Sequence, residues 1–176
     1  MAVPAAYLRY LREQTAGLPA RYTPGAKLED ALANPRLLVT GPPGSGKSDF
    51  LRWVAWLWCC GLEDARTEWL PMPFLIRVPE LPHAPGPVID LLRSRSRALG
   101  WGLADDFIAE KLLRGASVLL LDDLEPSSDP QRQLVETAAG SFRAARFIVA
   151  AAAPAHLAGF ETASIVQPPP GAAPTG

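Results

Sequence analysis

The segment Gly41-Pro42-Pro43-Gly44-Ser45-Gly46-Lys47-Ser48 restricts the fold more than any other stretch of this chain. It follows a short apolar run, Leu37-Leu38-Val39-Thr40, which reads as a buried strand. It precedes Ser48 to Leu62, which reads as a helix ended at Gly61 or soon after. A glycine-rich turn between strand and helix lets successive N–H groups curl inward, and the helix start adds the positive end of its dipole. That combination is built to hold phosphate.

The same alternation continues downstream. Further strands are expected at Phe74–Val78, Val118–Leu121 and Phe147–Ala150, and helices at Val88–Leu99, Ala104–Arg114 and Asp129–Phe142. Gly100 and Gly102 separate the first two of these helices, and the third opens with Asp129 as N-cap and Pro130 at its first position. The strands are continuous apolar runs without polar alternation, as in a mostly parallel sheet covered by helices on both faces. The expected fold is therefore α/β, three-layered, with about five strands. Residues 1–34 form a lead-in with a short helix at Ala5–Thr15, residues 35–167 the core, and residues 168–176 a flexible Pro/Ala/Gly-rich tail.

Charge narrows the function. Seventeen basic and eighteen acidic residues leave a net charge of -1, so there is no broad basic field for nucleic acid. The most apolar run, Trp53 to Leu62, is about half of what a bilayer requires. No signal peptide is evident, and a cytoplasmic protein is expected. Three Lys stand against fourteen Arg, and one of the three, Lys47, closes the glycine-rich motif. In the phosphate-binding reading, Lys47 neutralises the β and γ phosphates of a nucleotide and the Ser48 hydroxyl ligates Mg²⁺. Gly41, Pro42, Pro43, Gly44, Ser45, Gly46, Lys47, Ser48 and the adjoining Asp49 are the candidate nucleotide-binding residues. Val118-Leu119-Leu120-Leu121-Asp122-Asp123 is an apolar strand ending in carboxylates, which places Asp122 as a second Mg²⁺ ligand. Asp123 and Glu125 are candidates to orient or deprotonate water, or are solvated loop acids.

These segments together resemble a bacterial-type NACHT domain, of the STAND class of P-loop NTPases. The resemblance runs through "LLVTGPPGSGKSDFLRWVAWL" (Leu37–Leu57), "MPFLIRVPEL" (Met72–Leu81), "GASVLLLDDLEP" (Gly115–Pro126) and "RAARFIVAAAAP" (Arg143–Pro154), with "YLRYLREQTAGLP" (Tyr7–Pro19) similar to the family's lead-in. It implies a P-loop NTPase fold, with ATP or ADP and Mg²⁺ as cofactors. It also implies a weakly hydrolysing signalling switch that works with a protein partner or by self-association. The family pattern departs at two places. Asp123 replaces a small residue and Pro126 the last acid; Ala150–Ala153 stand where the family carries a sensor Arg before Pro154. A hydrolysis-dead nucleotide-binding interaction module or a degenerate scaffold is the alternative. ATP is favoured over GTP, because no Asn-Lys-x-Asp base reader is present. The chain reads as truncated or minimal, since no switch or sensor region follows the core.

Other residues carry blander expectations. Trp53, Trp56 and Trp58 read as core or interface anchors, and Cys59 and Cys60 as a pair of small buried thiols. Arg93, Arg95 and Arg97 read as a solvated helix face, and His83 and His156 as surface histidines. Arg21–Pro24 is either an ordinary turn or the start of an adenine pocket.

Overall fold

The computed structural model describes residues 3–18, 33–63, 71–81 and 88–165. Arg21–Pro24, His83 and the tail from Pro168 lie outside the described residues. In chain order the elements are α1 (Ala5–Thr15), β1 (Arg36–Gly41), α2 (Lys47–Glu63), β2 (Met72–Arg77) and a 3-10 turn (Val78–Glu80). There follow α3 (Val88–Ala98), α4 (Asp105–Leu113), β3 (Ser117–Leu124), α5 (Asp129–Ser141), β4 (Arg146–Ala152) and β5 (Glu161–Ser164).

The five strands form one sheet in the order β2-β3-β4-β1-β5, with every pairing parallel. Alternate side chains feed two separate cores, as the period of two along a strand requires. Leu37 and Val39 of β1, Val118 and Leu120 of β3, and Ile148 and Ala150 of β4 pack with Phe50, Leu51, Val54 and Ala55 of α2. On the other face Leu38, Leu119, Leu121, Phe147 and Val149 pack with Leu92 of α3, Ile108 of α4 and Val135 of α5. Helices thus cover both faces, and the three-layer α/β fold with a parallel sheet expected of the alternation is the one formed. All expected strands are present. β3 runs on through Asp122 and Asp123 to Leu124, and the fifth strand is the short, mostly exposed Glu161–Ser164 on the outer edge of β1.

α1 is built into this core. Tyr7 and Leu11 are fully buried, Tyr7 meets the Trp101 ring edge-on at 5.0 Å, and its hydroxyl donates to the Pro73 carbonyl at 2.5 Å. Pro73 sits on edge strand β2, where the sheet asks no N–H of it on the open side. Burial raises the Tyr7 phenol well above its usual pKa, so it remains a donor at any working pH.

Several local expectations change. The N-cap of α5 is Ser128, whose hydroxyl accepts from the Gln131 amide at 3.4 Å; Asp129 is already the first helical residue, and its carboxylate pairs with Arg132. Cys59 is buried but Cys60 is exposed, because adjacent positions on a helix point about 100° apart. Trp53 and Trp58 are partly buried against the α2-side core, while Trp56 is 45% exposed. The α3 arginines are not a merely solvated face. Arg95 pairs with Glu80 and Arg97 with Asp105, while the Arg93 Nε donates to the Asp105 carbonyl at 3.4 Å, so they fasten α3 to its neighbours. His156 is exposed, as expected. Among the described residues no helix is long and apolar enough to cross a membrane.

Arg36 closes the opposite end of the sheet. Its guanidinium donates to the carbonyls of Ala139 at 3.0 Å, Phe142 at 3.2 Å and Arg143 at 3.1 Å, and also to that of Ala145. It lies 4.6 Å from the centre of the Phe147 ring. One side chain therefore satisfies the carbonyls left open by the last turn of α5. Arg36→Ala is expected to lower stability by about 2 kcal/mol, from loss of charge-assisted bonds and the ring contact. Urea unfolding measures it, and an unchanged midpoint would deny Arg36 this role.

Candidate nucleotide site at the C-terminal edge of the sheet

In a parallel sheet the strand ends and the loops that follow them make a crevice on one edge. Here that edge gathers the glycine-rich loop after β1, the acidic end of β3 and the alanine run ending β4. They enclose a cleft of about 460 Å³. Its lining includes Pro43, Gly44, Gly46, Lys47, Ser48 and Asp49 from the loop and helix start, and Asp122, Asp123 and Glu125 from β3 and beyond. Gly41, Pro42 and Ser45 belong to the same loop without lining the cleft.

The loop is shaped by its own residues. Gly44 and Gly46 adopt φ of 75° and 89°, a left-handed backbone that other residues enter only with strain. The Ser45 amide donates to the Pro42 carbonyl at 3.2 Å, closing a tight turn. Lys47 Nζ donates to the carbonyls of Gly41 and Pro42 at 2.9 and 2.8 Å and reaches Ser45 Oγ at 3.4 Å. Its ammonium is held by the loop it belongs to. Gly41 is needed for space: a Cβ there would lie 2.5 Å from Ser45 Oγ and 2.9 Å from the Ile165 carbonyl oxygen. The Ser45 rotamer can yield, but the backbone carbonyl beside β5 cannot. Gly41→Ala is accordingly expected to cost about 1–3 kcal/mol, read as a lowered melting temperature; unchanged stability would show that β5 yields freely.

The acidic end of β3 is irregular. Asp122 is in register with Arg77 of β2, whereas on the other side pairing with β4 skips from Leu121 to Leu124. β3 advances three residues while β4 advances two, from Val149 to Ala151. The extra residue makes a bulge, and within it Asp123 takes a φ of 60°. The Asp123 amide donates to Asp122 Oδ1 at 2.9 Å. Its carboxylate accepts from Arg77 Nε at 2.8 Å, an exposed ion pair whose hydrogen bond is the main cause raising the Arg77 pKa. Glu125 is occupied with its own turn: its carboxylate accepts from Ser127 Oγ at 2.8 Å, and its amide donates to Gln131 Oε1 at 2.9 Å. Ala150, Ala151 and Ala152 line the cleft from β4 and bring no charge to it.

Asp122, Asp123 and Glu125 thus share one cleft with Lys47, Ser48 and Asp49, but the two later acids are engaged elsewhere. Arg77 and Gln131 carry no motif signal in the sequence. Arg77 ends an apolar strand, and its partnership with Asp123 depends on β2–β3 register, which a single sequence does not specify. The residues present fit a nucleotide with Mg²⁺. The loop offers the left-handed glycines Gly44 and Gly46, Lys47 an ammonium, and Ser48 and Asp122 two hard oxygen donors lining the same cleft.

No family model and no curated protein matches the chain. Among solved structures it is similar to a crystal structure of the DnaC helicase loader, with 22% sequence identity over 82% of this chain and 81% of that chain, at a TM-score of 0.36.

Proposed function

We propose that this chain is a Mg²⁺-dependent ATP-binding switch module of NACHT/STAND type that hydrolyses ATP slowly. The observation that carries the reading is the convergence of Lys47, Ser48 and Asp122 on one cleft beneath a glycine-rich loop at a helix start. Lys47 would exchange its loop carbonyls for phosphate oxygens, keeping a charge-assisted bond in either state. Ser48 and Asp122 would hold Mg²⁺, which supplies charge neutralisation at the phosphates when bound. Asp123 is the acid best placed to orient water or take its proton, provided Arg77 releases it. Glu125 is the weaker candidate, tied to Ser127.

A second reading has a specific observation in its favour. With only alanines on the β4 wall, no guanidinium stands at the sensor position among the described residues, and Asp123, the acid best placed to act as base, is paired to Arg77. The chain would then bind nucleotide without hydrolysis and serve as an interaction module. Binding of Mg²⁺-ATP and single-turnover hydrolysis by wild type, Lys47→Ala and Asp122→Ala separate the two. Slow hydrolysis above background, lost in Asp122→Ala, supports the switch. Binding without turnover leaves the interaction module, and no binding by wild type sinks both.

A further inference from the structure

A second cavity, of about 660 Å³, adjoins the nucleotide cleft and shares Ser48, Asp122 and Asp123 with it. Its size is ordinary for a small-molecule site. Three arginines reach it from three elements: Arg52 from α2, Arg77 from the end of β2 and Arg95 from α3. Tyr10 and Gln14 of α1 add neutral hydrogen-bonding groups, and Leu75, Ala98 and Leu99 give it an apolar wall. Leu99 is 55% exposed, so this wall continues out to the surface.

The three acids on the lining are Glu80, Asp122 and Asp123, which match the three arginines in formal charge. They are not equally available. Glu80 is committed to Arg95, and Asp123 to Arg77. Asp122 faces the nucleotide cleft as well, and in the reading above it serves Mg²⁺. Once Asp122 is so used, three arginines face two acids among the described lining residues. Arg52 is the least committed of the three: its contact with Asp49, on the nucleotide side, is 3.5 Å long and about half exposed, a geometry of little energetic value.

We propose that this cavity is a second ligand site, for a small molecule with an apolar body and a single carboxylate or phosphate group. Arg52 and Arg77 bind the anionic group, and the apolar body lies along Leu75, Ala98 and Leu99. Arg95, fixed by Glu80, forms the far wall. Because Asp123 lines both cavities and is held by Arg77, an anion that takes Arg77 also loosens Asp123 at the nucleotide. That coupling, and the charge excess left when Asp122 serves Mg²⁺, rest on the nucleotide reading; the placement of Arg52 and Arg77 beside the apolar wall does not.

The test uses the full chain with Mg²⁺ present and three probes, benzoate, phenyl phosphate and the neutral benzyl alcohol, titrated by calorimetry and NMR. Wild type and Lys47→Ala are each expected to bind at least one of the two anions saturably and to leave benzyl alcohol unbound. An R52Q/R77Q double variant is expected to bind at least tenfold more weakly with its melting temperature unchanged, since both side chains are about half exposed or more. No saturable binding of either anion overturns the proposal. So does binding retained in R52Q/R77Q, and so does binding lost in Lys47→Ala, which would assign the anion to the glycine-rich loop. Anion binding in a chain that fails to bind ATP would uphold the second site while sinking the nucleotide reading.

Discussion

Lys47→Ala is expected to weaken Mg²⁺-ATP binding by about 100-fold, close to 3 kcal/mol, because it removes the one ammonium that lines the cleft among the described residues. Stability should scarcely change. The Nζ bonds run to two loop carbonyls and Ser45, all within the same short segment, and no core contact depends on them. Loss of binding with an intact melting curve therefore separates a ligand role from a folding role. Lys47→Arg should not restore affinity, since a planar fork does not fit a loop that holds its cation from three converging oxygens. Calorimetry on the three proteins is sufficient. If Lys47→Ala binds ATP as wild type does, the nucleotide does not sit in this loop.

Tyr7→Ala is expected to cost about 3–5 kcal/mol, the range for deleting a buried aromatic side chain. At roughly 2–4 °C per kcal/mol for a chain of this size, the melting temperature should fall by about 10 °C. Tyr7 is fully buried between Tyr10, Phe74 and Trp101, so its removal leaves a void that three rings from different elements would have to fill. Tyr7→Phe keeps the ring and removes only the donor to Pro73; the stranded carbonyl should cost about 1–3 kcal/mol. A loss below about 1 kcal/mol in Tyr7→Ala would mean that α1 is detachable from the domain.

That α1 is core rather than preamble could not be read from its sequence. Ala5–Thr15 is legible as a helix, and its limits agree with those formed. What it packs on is a tertiary matter: Tyr7 meets Pro73 and Trp101, far along the chain. The sheet was legible because buried parallel strands are plain apolar runs, and the glycine-rich loop because its backbone needs leave glycines at fixed places. β5 escaped for the opposite reason. Glu161–Ser164 is polar and mostly exposed, so nothing in its composition announces a strand; its pairing with Leu37–Thr40 defines it. The acids of β3 were legible as a group but not in their engagements. Whether Asp123 meets Arg77 or open water depends on one extra residue of register, and residue types alone do not set that.

The bulge in β3 also has a consequence for labelling kinetics. On either side of it the strand is laddered and buried, so its amides should exchange with solvent only when the sheet opens. The Asp123 amide is different, for it is held by the carboxylate of the residue before it, at the mouth of the cleft. Anything that draws Asp122 Oδ1 toward a cation uncovers that proton. A single quickly exchanging amide inside a slow strand would then act as a native sensor of metal arrival, needing neither a dye nor a substitution to report it.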